Sequence, residues 1–170
     1  MKTILRPLVF TGLLLLFAAG ASAQSILSSV DGKRVDLDAQ DGKIVVLAVG
    51  AAWLPLSEKQ AGFTNALVKK YQGRPVVFYF VVTDSTNTRS KNFASDDDVK
   101  DFSVRNKISV PVLRDSDGVM MKRKYKLEQV PSFVILDRAG NASTETFGGL
   151  DPKFDLTGPI SQAIDRLLSQ

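Results

Sequence analysis

Two continuous apolar runs, Ile44-Val-Val-Leu-Ala-Val49 and Val76-Val-Phe-Tyr-Phe-Val-Val82, constrain this chain more than any other feature of its sequence. Neither alternates apolar with polar residues, so neither can lie on a sheet with one face in water. Both are too short for a core helix and are rich in β-branched or aromatic residues, the mark of strands covered on both faces. Between them, Glu58 to Tyr71 carries Phe63, Ala66, Leu67 and Tyr71 at helical spacing. Strands buried on both faces need a layer of helices above and below, and the fold class is therefore an α/β three-layer sandwich.

The rest of the chain extends that pattern. Ser29 to Leu37 reads as a small N-terminal β-hairpin around the Asp31-Gly32 turn. Ser95 followed by Asp96, Asp97 and Asp98 opens a helix, because serine is a good N-cap and acids suit the positive end of the helix dipole. That helix start accounts for the acids better than a calcium loop, which would space its ligands and place a glycine among them. Further strands are expected at Val110 to Arg114 and Ser132 to Asp137, with turns at Asp117-Gly118 and Ala139-Gly140-Asn141. Thr144 to Phe147 is expected as an edge strand ending in Gly148-Gly149. Ile160, Ala163, Ile164, Leu167 and Leu168 mark a C-terminal amphipathic helix.

The first residues stand apart. Lys2 and Arg6 form a positive segment, Leu8 to Ala19 an apolar one, and Ala21-Ser22-Ala23 a small-residue cleavage pattern, which together read as a secretory signal peptide over 1–23. Cleavage is expected before Gln24, leaving one domain over 24–170, exported to the bacterial periplasm or secreted, with no membrane anchor. The apolar segment is short for a membrane span, which needs about 20 residues. Removing Lys2 and Arg6 from the formal charge of +4 leaves +2, too mild to argue for nucleic acid. The one basic cluster, Met121-Lys-Arg-Lys-Tyr-Lys126, reads as a solvated helix face.

The residues that are missing exclude whole classes of chemistry. The sequence contains no cysteine and no histidine. An exported chain without cysteine has no disulfide and must be held by packing alone. Without histidine it lacks the usual general base and the commonest transition-metal ligand, so neither a Ser-His-Asp triad nor an ordinary zinc, copper or haem site is expected. No cofactor and no metal are expected.

Two motifs carry a family resemblance. Trp53-Leu-Pro-Leu-Ser57 lies at the end of the first buried strand and opens a helix, and Lys126-Leu-Glu-Gln-Val-Pro131-Ser-Phe-Val-Ile-Leu-Asp-Arg-Ala-Gly140 follows later. The chain resembles the thioredoxin-like redoxins, in particular the exported TlpA/ResA type, with nucleoredoxin-like features in Phe63-Thr-Asn-Ala-Leu67 and Phe80-Val-Val-Thr-Asp84. The resemblance covers nearly all of residues 28–168 and implies an AhpC/TSA-type thioredoxin-like fold with a central mixed sheet flanked by helices. In such families the first motif is Trp-Cys-x-x-Cys, and the second contains a cis-proline that faces the cysteines. The resemblance thus places Leu54 at the nucleophilic cysteine, Ser57 at the resolving one and Pro131 at the cis-proline.

That departure bears directly on function. Disulfide exchange needs an attacking thiolate and a second thiol to resolve the mixed disulfide, and peroxidase chemistry needs a sulfenic acid. Leucine offers no nucleophile, and a serine hydroxyl with no base beside it is too weakly acidic. Simpler roles are open to the same residues: Ser57 with Gln60 fits a capping box, and Pro55 suits a first helical turn. Two functions are compatible with the sequence. One is a non-catalytic module that holds an exported protein or peptide in the former redox groove, with Trp53, Leu54, Pro55, Leu56, Val130 and Pro131 as contacts. The other is an enzyme of different chemistry using Glu58, Asp84 or Asp115 near the strand ends, where ligands of open α/β sheets sit. Family resemblance alone would say thiol-disulfide oxidoreductase. The purified chain is expected to show no turnover in insulin reduction or peroxide consumption; reproducible turnover in a preparation free of contaminating redoxin would overturn this.

Overall fold

The computed structural model describes residues 25–40, 42–149, 151 and 153–170, so the expected signal peptide lies outside the described residues. The order of elements follows the apolar runs. A hairpin of β1 (Ile26–Ser29) and β2 (Arg34–Asp36) leads to β3 (Ile44–Gly50), α1 (Pro55–Lys70), β4 (Val76–Val82) and α2 (Asp96–Arg105). After these come β5 (Val112–Arg114), α3 (Val119–Tyr125), β6 (Ser132–Leu136), the edge strand β7 (Ala142–Gly148) and α4 (Thr157–Leu168).

The strands form one mixed sheet in the order β2-β1-β5-β4-β3-β6-β7. β3 pairs parallel with β4 and antiparallel with β6, and β4 pairs parallel with β5. Every residue of β3 is buried, as a strand with neighbours on both edges and helices on both faces must be. Ile44, Val46 and Ala48 point to one face, with Phe78, Phe80 and Val82 of β4, under α1, α2 and α4. Val45, Leu47 and Val49 point to the other, with Tyr79 and Val81, under α3 and Leu127. This is the expected sandwich, a thioredoxin-like fold.

Local chemistry explains the helix ends. Ser95 Oγ accepts the Asp98 N–H at 3.1 Å while the Asp98 carboxylate accepts the Ser95 N–H at 2.8 Å, a complete capping box at the start of α2. Asp115 accepts the N–H groups of Met120 and Met121 at 3.0 and 2.8 Å, which satisfies first-turn donors of α3. Tyr71, at the end of α1, donates its hydroxyl to the Ser161 carbonyl or to Asp165 and so joins α1 to α4.

Two expectations need correction. Helix α1 begins at Pro55, and its buried stripe is Ser57, Gln60, Ala61, Thr64 and Leu67, running on to Tyr71. Phe63 is only half-buried and Ala66 is exposed. Apolar periodicity misplaces the face because hydroxyl and amide side chains occupy its first turns. The basic cluster is also not wholly solvated, since Lys124 binds both oxygens of Asp38, at 2.5 and 2.7 Å, and the Ser25 hydroxyl.

Candidate functional site

The site is built where β3 ends and α1 begins. Pro55 takes the first helical position, where its missing N–H costs nothing, and Leu54 is the N-cap residue. Leu54 makes no side-chain cap, and Ser57 and Gln60 do not form the expected capping box. Both side chains turn inward instead and are fully buried. Ser57 Oγ accepts the N–H of Ala51 at 3.1 Å. The Gln60 amide donates to the Ser132 carbonyl at 2.8 Å and more weakly to that of Val49 at 3.3 Å. Thr64 Oγ donates to the Gln60 carbonyl at 2.8 Å. A polar seam therefore welds the start of α1 to the ends of β3 and β6.

Ser132 follows Pro131, and the Val130–Pro131 peptide bond is cis, as the resemblance implies. Pro131 is buried, Val130 is half-buried, and Trp53 is 53% exposed. Among the described residues neither the N–H nor the carbonyl of Val130 has a backbone hydrogen bond. Beside Val130 and Trp53 opens a cavity of about 270 Å³, lined further by Thr83, Asp117, Met121, Lys122 and Leu127 among others. Of the six groove residues expected from sequence, only Trp53 and Val130 line it; Leu54 and Leu56 are half-buried, and Pro55 is exposed. Met121, distant from the first motif in sequence, is returned to it by α3.

The three acids considered for catalysis do not converge. Glu58 is exposed on α1, Asp115 is occupied by the α3 amides, and Asp84 is buried beneath the β3–α1 turn. None lines the cavity, and no two share a hydrogen bond. Asp84 Oδ2 accepts the Ala52 N–H at 2.8 Å, while Oδ1 has no partner. Burial pushes this carboxyl above its ordinary 3.8, against the pull of backbone N–H groups and of Arg114.

Sequence reasoning missed Gln60, whose partner Ser132 lies 72 residues away, and Asp117, which it read only as a turn. The Asp117-Gly118 pair carries a usable signal: both residues have positive φ, 60° and 64°, and together they form part of the cavity wall.

The model of the AhpC/TSA family matches residues 20–143. The chain belongs to the AhpC/TSA family. Among curated relatives, the thiol-disulfide oxidoreductase ResA of Bacillus thuringiensis subsp. konkukian is 27% identical over 123 residues, and that of Bacillus anthracis 24%. These matches cover 72% of this chain but 65% of each relative, so the chain spans about two thirds of their length. Among solved structures, the exposed lipoprotein thioredoxin Etrx1 of Streptococcus pneumoniae has a TM-score of 0.67 at 24% identity, covering 85% of this chain and 99% of that one. A thiol:disulfide interchange protein DsbE of Chlorobium tepidum has a TM-score of 0.70 at 21% identity, covering 85% and 93%. A secreted disulfide oxidoreductase of Mycobacterium tuberculosis reaches 0.64 at 18% identity, covering 86% and 96%. This family member contains no cysteine with which to perform the reaction in its relatives' names.

The seam predicts its own weak point. A Cβ on Gly50 would stand 2.6 Å from Gln60 Oε1 and 2.7 Å from Ser57 Oγ, and neither atom can retreat without giving up its hydrogen-bonded side-chain position. Gly50→Ala is therefore expected to destabilise the fold by about 1–3 kcal/mol, the usual cost of overpacking. Urea unfolding with an unchanged m-value checks it, and a neutral result would mean that the seam is loose.

Proposed function

We propose that this chain is an exported redoxin-fold protein that performs no thiol chemistry and holds an extended peptide of a partner protein in the former redox groove. The observation that carries this reading is the coexistence of a lost nucleophile with an open recognition surface. Leu54 and Ser57 stand at the helix start, yet Val130 keeps free main-chain groups beside a cavity and an exposed tryptophan. An extended strand gains affinity from main-chain hydrogen bonds and specificity from side-chain pockets. The unbonded N–H and carbonyl of Val130 offer the first; the cavity floored by Met121 and Leu127 offers the second. Trp53 supplies a large, rigid contact of the kind that anchors interfaces.

Export is part of the proposal. It is supported by the charged, apolar and small-residue segments of residues 1–23, and by structural neighbours described as an exposed lipoprotein and as secreted. The working unit is then residues 24–170, with a bacterial periplasm as the compartment. The partner is a protein or peptide; the mild charge gives no reason to expect nucleic acid.

The test is selection followed by calorimetry. A random twelve-residue peptide display library, panned against the purified chain, should yield extended apolar peptides that lose at least about tenfold in affinity on Trp53→Ala, a typical cost for truncating an anchoring tryptophan. Leu54→Asp should weaken the same peptides. Failure to enrich any peptide, or selected peptides that bind both variants as well as wild type, would sink the reading.

A further inference from the structure

The turn that presents Trp53 is held from below by two side chains. Ser57 Oγ takes the Ala51 N–H and Asp84 Oδ2 takes the Ala52 N–H. The Trp53 backbone N–H also faces the Asp84 carboxylate, but nothing comparable fixes the Trp53 side chain: among the described residues its indole makes no hydrogen bond, ring contact or cation–π contact. The position of the groove's principal aromatic residue therefore depends on the turn backbone at Ala52 and Trp53, which Asp84 holds.

An aspartate is a costly choice for this task. Asp84 is fully buried, and its second oxygen is left without a partner. A buried charge with an unpaired oxygen is unfavourable, and an asparagine carbonyl would accept the same N–H without the charge. The charged groups around it compensate only in part. Arg114 of β5, its side chain 8% exposed, attracts Asp84 but gives its own donors to the carbonyls of Ala94 and Ser95 at 2.9 and 3.4 Å. Beyond Arg114 stands Asp96 of α2, 3.6 Å from the guanidinium Nε. What the carboxylate alone provides is a charge-assisted hydrogen bond, stronger than a neutral one.

We propose that Asp84 is the positioning residue of the groove: its ionised carboxylate pins Ala52 and so sets where Trp53 stands at the cavity mouth. This rests on the reading of that groove as a peptide site, whose affinity then depends on the protonation of a side chain that no ligand touches. Protonation removes the charge, weakens the bond to Ala52 and releases the turn. Stability moves in the opposite direction. The folded carboxyl holds its proton to higher pH than the unfolded one, so its contribution to stability is greatest below 3.8 and is lost as pH rises through the folded value. Asp84→Asn should therefore be at least as stable as wild type at neutral pH while positioning Trp53 less firmly, a division that a merely structural aspartate would not produce.

Trp53 is the only tryptophan in the chain, which makes the test direct. Tryptophan emission and acrylamide quenching are followed against pH, with far-ultraviolet circular dichroism confirming that the fold persists. In wild type a single step is expected with a midpoint above 3.8, quenching increasing as pH falls through it. Asp84→Asn should lose the step, and Asp84→Ala should show the acid-side quenching at every pH. The same step in Asp84→Asn, or identical quenching in wild type and Asp84→Ala, would overturn the proposal. This arm uses no peptide, so its failure leaves peptide binding standing. In the second arm, a peptide selected on wild type should bind Asp84→Asn about fivefold more weakly at neutral pH, the scale of one charge-assisted hydrogen bond exchanged for a neutral one. Equal affinity would refute the link to binding, and a Trp53 step with no peptide bound by any variant would reduce Asp84 to a loop anchor.

Discussion

The hydrogen bond from the Gln60 amide to the Ser132 carbonyl, 2.8 Å long, ties the fold to its site. It spans two elements that the sheet brings together from 72 residues apart, and it is made wholly inside the protein. Through it the first turns of α1 are held against the strand that follows the cis Val130–Pro131 bond. Ser57 completes the weld by taking the Ala51 N–H, and Gly50 lets the two side chains approach by having no side chain of its own. Buried polar groups are tolerated when they find partners, and here the helix, β3 and β6 supply them to the Gln60 amide N–H and the Ser57 hydroxyl, while Gln60 Oε1 stays without one among the described residues. The seam fixes the turn between β3 and α1 with no sulfur in it. With no disulfide available, two apolar layers hold the rest, and exposed ion pairs such as Lys100–Asp97 add at most about 1 kcal/mol.

Much of the fold was legible because its strongest elements are defined locally. The runs at Ile44 and Val76 have no periodicity to misread, and they form the two adjacent parallel strands at the centre of the sheet. Ser95 and its acids announce a helix start within four residues, since both halves of that capping box lie in the same turn. The N-terminal hairpin, the edge strand and the C-terminal helix were legible for the same reason.

The site was only half legible. Trp53 and Pro131 could be placed through the resemblance, yet the chain around them is arranged by long-range contacts. Ser57 and Gln60 look like a cap because their spacing allows one; tertiary partners compete for the same side chains and win. The start of α1 and its polar buried face were missed for that reason. Asp117, Met121 and Leu127 reach the cavity only once α3 is laid across the sheet, and no local pattern records that. Asp84 was singled out as an acid at a strand end, while its task, holding Ala52, depends on a contact 32 residues away in sequence.

The central claim is that Leu54 and Ser57 stand where the family's two sulfurs would be, in a frame otherwise intact. The most direct measurement is thiol titration of the Leu54→Cys, Ser57→Cys double variant in its folded, oxidised and reduced forms. The two positions are the N-cap and the third residue of α1, and residues so spaced in a first turn fall within the roughly 4.4–6.8 Å Cα separation that a disulfide tolerates. The helix N-terminus also favours the thiolate. The account predicts an intramolecular disulfide that forms and reduces reversibly in the folded chain, with insulin reductase activity that neither single variant has. Two cysteines that stay unpaired in the folded state, or that pair only when the chain unfolds, would contradict it.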